Sequence, residues 1–373
     1  MPVTINGTTG ITTPTYNGNT TAEYLVPVTG FKNRIINGAM RIDQRNAGAS
    51  VTVNGNSPFI TDRFRCDDAT DGAYTAQQVS TAPAGFNNSV QVTVTSADTS
   101  LSASQYALFY HSIEGNNVAD LNWGTANAKT ITLSFWVRSS VTGTFSGSLE
   151  NNANNRSYIF TYTINSANTW EYETITIPGD TSGTWETGTA VGIRINWSLG
   201  VGSDFLGTAG AWGNRFFGST GSVALIGTNS ATWFITGIQL EVGSTATSFD
   251  ARSYGTELQL CMRYYYKLQL GDYGAVNGFI DGSTAAIFYY QFPVVMRTSP
   301  TLGTTGSSGN YAIRLAPGQA PTCNAVPVII GTGSEGATRI QGSVSGGLTT
   351  GYGAGIVANS STYGTFLAFS AEL

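Results

Sequence analysis

The stretch "TITLSFWVRSS" (residues 130–140) decides how the rest of the chain is read. Ile131, Leu133, Phe135 and Val137 fall on one side of an extended backbone, and Thr132, Ser134, Trp136 and Arg138 on the other. This alternation predicts a β-strand with one buried and one outward face. "NSVQVTVTS" (88–96) repeats the pattern, and "RSYIFTYTI" (156–164), "YETITIPG" (172–179), "GIRINWSLG" (192–200) and "TWFITGIQLEV" (232–242) continue it. Loops rich in Gly, Asn, Ser and Thr separate these runs, and no helical pattern lies between them. That arrangement predicts an all-β antiparallel sandwich or jelly roll extending to about residue 252.

Residues 1–32 form a polar arm containing Asn6-Gly7 and Asn17-Gly18 turn dipeptides. It carries too few large apolar residues for a core of its own, so its expected role is attachment to a neighbouring protein. Residues 253–270, "SYGTELQLCMRYYYKLQL", read as a connecting helix. Thr256 and Gln259 match a capping box. Leu258, Cys261, Met262 and Tyr265 make an i, i+3, i+4, i+7 stripe. The stripe packs either on its own chain or, through Leu258, Met262 and Tyr265, on copies of itself around a symmetry axis. Residues 271–373 resume strand and turn signals and predict a second, smaller β-sandwich.

Composition narrows the function. Charged residues are 10% of the 373, and the formal net charge is −5 with three lysines. Phosphate-backbone binding needs clustered cations, so no nucleic acid is expected. The most apolar run, "AAIFYYQFPVVM" (285–296), is too short to span a bilayer, and no membrane insertion is expected. No Sec-type signal is visible in "MPVTINGTTG". Cys66, Cys261 and Cys323 fit neither a disulfide framework nor a zinc site. "GTGSEG" (331–336) lacks the following helix that a dinucleotide fingerprint requires, so no cofactor is expected. His111, the single histidine, shares a strand face with Phe109 and Ile113 and reads as structural. No carboxylate pair, Glu171/Glu173 and Asp67/Asp68 included, stands out as a hydrolytic centre.

Aromatic residues are the better lead. Sugar rings present apolar C–H faces that stack on Trp and Tyr, while Asn, Arg and acids bond the hydroxyls. Trp136, Arg138, Arg194 and Asn196 all point away from their strands' apolar series; they line the open face of one sheet or lie beneath loops or a second subunit that cover that face. Trp170, Trp185 and Trp212 sit in loop or strand-end surroundings, and Trp170 joins the candidate carbohydrate-binding set.

Several ordered stretches carry a family resemblance: "NRIINGAMRIDQRNAG" (33–48), "FITDRF" (59–64), "KTITLSFWVRSSVTGTFSGSL" (129–149), "TWEYETITIPGD" (169–180) and "ITGIQLEVGSTATSFDARSYGTELQLCMRYYYK" (235–267). Together they resemble the carbohydrate-binding-module-like jelly roll of tailed-bacteriophage fibre and virion-surface proteins. The resemblance implies a non-enzymatic, homotrimeric virion component, with other virion proteins held by the N-terminal arm and host-surface glycan as a ligand. A capsid decoration (cement) or head-fibre protein of purely structural role is the alternative, and a polysaccharide depolymerase the third reading. Related modules carry an acidic residue, able to help bind structural calcium, where this chain has Arg41, so no metal is expected.

Overall fold

The computed structural model describes residues 4–6, 10–12, 31–271, 276–315, 319–331, 333–359 and 364–373. Thr4–Asn6 and Gly10–Thr12 pair as a short antiparallel hairpin. The remainder of the expected attachment arm, through residue 30, lies outside the described residues.

The first body is a jelly-roll sandwich of two antiparallel sheets. One has seven strands in the order Trp212–Gly213, Ser157–Ile164, Gly143–Glu150, Val191–Val201, Tyr106–Glu114, Phe64–Asp68 and Phe59–Thr61. The other has six: Glu171–Ile177, Ile131–Ser139, Thr232–Val242, Ser89–Ser96, Ala73–Val79 and Val51–Val53. Between them lies a core with an aromatic centre, where Phe109, Phe135 and Phe160 surround Trp197. Such rings are large apolar loads, each worth about 3–5 kcal/mol when truncated to alanine. Ile131, Leu133, Phe135 and Val137 are all buried in this core, as their alternation requires.

The helix is shorter than the sequence pattern indicates. It spans Tyr254–Met262, and its start is capped by Ser253, whose hydroxyl accepts from the Thr256 amide. The expected box at Thr256 and Gln259 is therefore displaced by one turn. Residues 265–270 are not helical: Tyr265–Gln269 is a strand paired antiparallel with Phe366–Ser370. A nine-residue helix is marginal on its own, and the aromatic run Tyr264–Tyr266 gains more by completing a sheet. The stripe also turns inward. Leu258 and Cys261 pack with Tyr264 on Ile36 and Ile42 of the jelly roll and on Leu373. Tyr265 lies beneath the Arg45 guanidinium, 3.6 Å from its ring centre. Tyr265 therefore does not share a helical seam with Leu258 and Met262, and Leu258 is engaged within its own chain.

The second body packs a three-stranded sheet (Tyr265–Gln269, Phe366–Ser370, Thr301–Thr304) and a six-stranded sheet around a separate core that includes Phe288, Tyr311, Ile356 and Phe369. "GTGSEG" leads into the strand Ala337–Ser343 rather than a helix. At the joint between the bodies, Glu114 accepts from Arg263 (2.7 and 2.9 Å), from the Tyr264 hydroxyl (2.7 Å) and from Asn116 (2.9 Å). Arg63 pairs with Glu372 and lies 3.6 Å over the Tyr264 ring. All three cysteines are free and buried. Among the described residues, no helix is long and apolar enough to cross a membrane.

Candidate functional site

The five sequence-derived candidates do not share a face. Trp136 and Arg138 stand on the outer face of the six-stranded sheet, with Trp170 at its edge. Arg194 and Asn196 stand on the outer face of the seven-stranded sheet, on the opposite side of the sandwich. The alternation of each strand is as expected. Their assignment to one sheet is corrected by the pairing, because Ile131–Ser139 bonds to Thr232–Val242 while Val191–Val201 bonds to Tyr106–Glu114 and Gly143–Glu150.

On the six-stranded side, Arg138 donates to the Asn168 carbonyl (2.9 Å) and covers the Phe234 ring at 5.0 Å. Trp170 meets the same ring edge-on at 6.1 Å. These contacts make an aromatic ridge. Trp136 lies beside it, opposite Tyr172 across the strand pair.

The outward side of the seven-stranded sheet carries a covered polar seam, here called the cleft, in which Asn196 and Ser148 are fully buried and Glu150, Ser112 and Tyr110 nearly so. The register aligns one row as Ile159, Ser148, Asn196, Tyr110 and Arg65, and the adjacent row as Ser157, Glu150, Arg194 and Ser112. Glu150 is 1% exposed, and one of its oxygens accepts from Arg194 Nη1 (2.9 Å) and Asn196 Nδ2 (3.3 Å). Asn196 also donates to Ser148 Oγ at 3.1 Å. Tyr110 is held between two guanidinium groups, Arg65 at 5.4 Å and Arg194 at 5.5 Å. Burial pushes its phenol up to about 12, so it remains a neutral hydroxyl. At one end of the cleft the 202–222 loop is anchored by Ser219 N to Ser146 Oγ (3.1 Å) and Phe216 N to Ser157 Oγ (3.0 Å). That loop brings Phe205 and Phe217 against Tyr106, with the exposed Arg215 stacked on both.

The cleft is under-bonded. Glu150 Oε2, Asn196 Oδ1, Arg194 Nε, Arg65 Nε and Ser112 Oγ are buried, lie on this one face, and have no hydrogen-bond partner among the described residues. Leaving a buried polar atom unpaired costs about 1–3 kcal/mol; the Nε atoms of Arg34, Arg45, Arg63 and Arg252, away from this face, are unpaired as well. Both signs of hydrogen-bonding capacity are present: acceptors at Glu150 and Asn196, donors at the arginines, and Ser112 able to act as either.

Among the described residues, the histidine and the carboxylate pairs singled out in the sequence lie as follows. Burial, with help from Arg63, lowers the His111 imidazole well below its usual range, so it is neutral. It packs against Phe64 at 4.7 Å. Burial, and secondarily Glu171, raises Glu173 to about 7. Asp68 is buried while Asp67 is partly exposed, as expected for neighbours on alternate strand faces. Glu150 and Tyr110 escaped sequence reading; both occupy outward positions of strands that are buried on both faces.

No protein-family model matches the chain, and no curated protein matches it. Among solved structures, it is similar to the enzymatically active domain of bacteriophage CBA120 tailspike protein 4, at 12% identity over 57% of this chain and 22% of the other, with a TM-score of 0.29. It thus spans about a fifth of that tailspike chain. It is also similar to a family 11 carbohydrate-binding module from Clostridium thermocellum in complex with a β-1,3-1,4-mixed-linked tetrasaccharide: 13% identity, 53% and 98% coverage, TM-score 0.27. A third is the module TmCBM61 in complex with β-1,4-galactotriose: 11% identity, 48% and 88% coverage, TM-score 0.26. At this level the alignments assign no ligand and no residue role to this chain.

Proposed function

We propose that this protein is a non-catalytic, glycan-binding component of a bacteriophage virion surface. It works as a homotrimer, is anchored to other virion proteins by its N-terminal arm, and holds a host-surface saccharide against the outer face of the seven-stranded sheet at the partly exposed Arg194. The observation that carries the binding reading is the polar outward row of this sheet, whose solvent-reachable members are Arg194, with 25% of its side chain exposed, and, on the adjoining loop, the exposed Arg215. A saccharide hydroxyl donates one bond and accepts others, so a row of hydroxyls suits a surface offering both in alternation. Phe205, partly exposed at the cleft end, offers a ring for a sugar C–H face. The virion and trimer parts of the reading rest on the ordered sequence resemblance.

The test is retention of the purified chain on surface polysaccharide extracted from a bacterial host, followed by biolayer interferometry. Saturable binding that Arg194→Ala weakens while the circular dichroism spectrum stays unchanged supports the reading. Equal binding by that variant removes the cleft. Light scattering is expected to give a mass near three chains, and a monomer at micromolar concentration removes the trimer.

A structural decoration or head-fibre role is favoured by a different feature, the outer face of the second body. There Tyr289, Val328 and Tyr352 are 58%, 48% and 65% exposed. Exposed apolar side chains gathered on one body suit contact with another protein. Antibody labelling of intact particles separates the two, since decoration places the epitope on the head.

A further inference from the structure

The six-stranded sheet carries a second, differently built depression on its outer face. It is a groove of about 450 Å³ whose floor is Trp136 and Tyr172 and whose wall is Phe86 and Phe249. That volume lies within the usual range for small-ligand sites, roughly 300–1,000 Å³. Trp136 and Tyr172 face one another across paired strands, with ring centres 5.2 Å apart and planes inclined by 44°. Tyr172 is 43% exposed. Phe86 and Phe249 meet edge-to-face at 5.1 Å, each from a separate loop.

Two devices hold the groove in shape. The strand Thr232–Val242 bulges between Thr236 and Gln239, and Gly237 lies in that bulge with φ of +63°. A Cβ on Gly237 would sit 2.7 Å from Phe86 and 3.0 Å from Trp136, so only glycine permits the two rings to approach over the sheet. The loop carrying Phe249 is fixed from below. Glu241 accepts from the Thr247 amide (2.8 Å) and hydroxyl (2.6 Å), and Gln239 Oε1 accepts from the Asp250 amide (2.7 Å). The aromatic walls are thus preorganised rather than loosely placed.

No charged side chain lines the groove among the described residues; its polar edge is made by Ser134, Thr247 and Ser248. An occupant must therefore be uncharged, must present a flat apolar face to two inclined rings, and must carry neutral polar groups around its rim. We infer that this groove is a second saccharide site, taking a neutral pyranose ring whose C–H face stacks on Trp136 and Tyr172. The charged cleft and this groove lie on opposite outer faces of the sandwich, so each jelly roll offers two independent contacts. In a multivalent assembly such contacts raise avidity.

The test uses the full chain with methyl β-D-galactopyranoside and methyl β-D-glucopyranoside, followed by saturation-transfer NMR. Saturation is expected to be strongest on the ring C–H protons that form one face. Tyr172→Ala, an exposed position whose loss leaves the core untouched, is expected to weaken binding by about tenfold or more, and Trp136→Ala at least as much. Gly237→Ala is expected to weaken it by closing the slot. Replacement of Arg194 and Glu150 is expected to leave this signal in place. Absence of saturation transfer from both sugars overturns the site. So does unchanged binding by Tyr172→Ala and Trp136→Ala, or a signal lost only with Arg194 and Glu150. Saturation transfer to N-acetyl-tryptophanamide that Tyr172→Ala abolishes, while neither sugar binds, also overturns it and identifies an aromatic side chain of a protein as the occupant.

Discussion

The joint and the cleft each bury a glutamate against an arginine, and they are finished to different degrees. At the joint both Glu114 oxygens are used, by Arg263, Tyr264 and Asn116. In the cleft Glu150 uses one oxygen and leaves the other unpaired, as do Asn196 Oδ1 and Arg194 Nε. Burial pushes the Glu114 carboxyl up, but hydrogen bonds from Arg263, Tyr264 and Asn116 more than offset it and leave it below its usual range. A saturated pair holds two bodies together. The unsaturated one leaves hydrogen-bonding capacity unused beneath the surface. The difference lies in the carboxylates, both oxygens used at Glu114 and one at Glu150; unpaired arginine Nε groups occur at both places, Arg63 and Arg45 at the joint and Arg194 and Arg65 in the cleft.

The largest expected effect breaks the joint. Glu114→Ala leaves the buried Tyr264 hydroxyl unpaired and Arg263 with the Val295 carbonyl alone (3.3 Å), and is expected to cost about 1.5–3 kcal/mol, read from urea unfolding. It should leave saccharide binding intact under conditions where the chain is folded. A loss below about 1 kcal/mol would mean that the joint is no better bonded than the cleft.

The cleft should respond in the opposite sense. Replacing both partners, Arg194→Met with Glu150→Met, removes a partly satisfied pair and is expected to change stability by less than about 1 kcal/mol in either direction. The same double variant is expected to lose about 100-fold or more in affinity for host polysaccharide, because it deletes acceptor and donor together. Loss of stability with retained binding would reverse the assignment.

The smallest effect sharpens the contrast through pH. Asp62 is raised to about 7, chiefly by burial, and Glu173 to about 7 by burial and then by Glu171. Their unfolded values lie near 4, so the folded state binds protons more tightly. The stabilising contribution is full below about pH 4 and is lost as pH rises through about 7. Thermal unfolding is therefore expected to occur a few degrees higher at about pH 5.5 than at about pH 8, and the double variant Asp62→Asn/Glu173→Gln is expected to flatten that difference. At lower pH the trend should turn over, since Glu114, held below its usual range by its hydrogen bonds, gives up its bonds to Arg263 when it takes a proton. An unchanged slope in the double variant would place the titrating groups elsewhere.

Much of the fold is legible in the chain. Strand alternation identifies the buried series at Ile131–Val137 and the outward position of Trp136, because a period of two follows from backbone geometry alone. The helix is found but over-extended, since propensity and stripe spacing do not register that Tyr265 has a strand partner about 100 residues away at Ser370. Phe86 and Phe249 leave only a faint trace, each a lone aromatic in a polar loop. Their convergence on Trp136 depends on a bulge at Gly237 that no local pattern announces.

What the amino-acid order determined by itself is therefore the faces: which side chains of each strand turn inward, where the turns fall, and how little charge the surface carries. Which faces meet was decided only in three dimensions. Alternation is a property of one strand, whereas sheet membership is set by hydrogen-bonded partners far along the chain, and that pairing sends Trp136 and Arg194 to opposite sides of the sandwich.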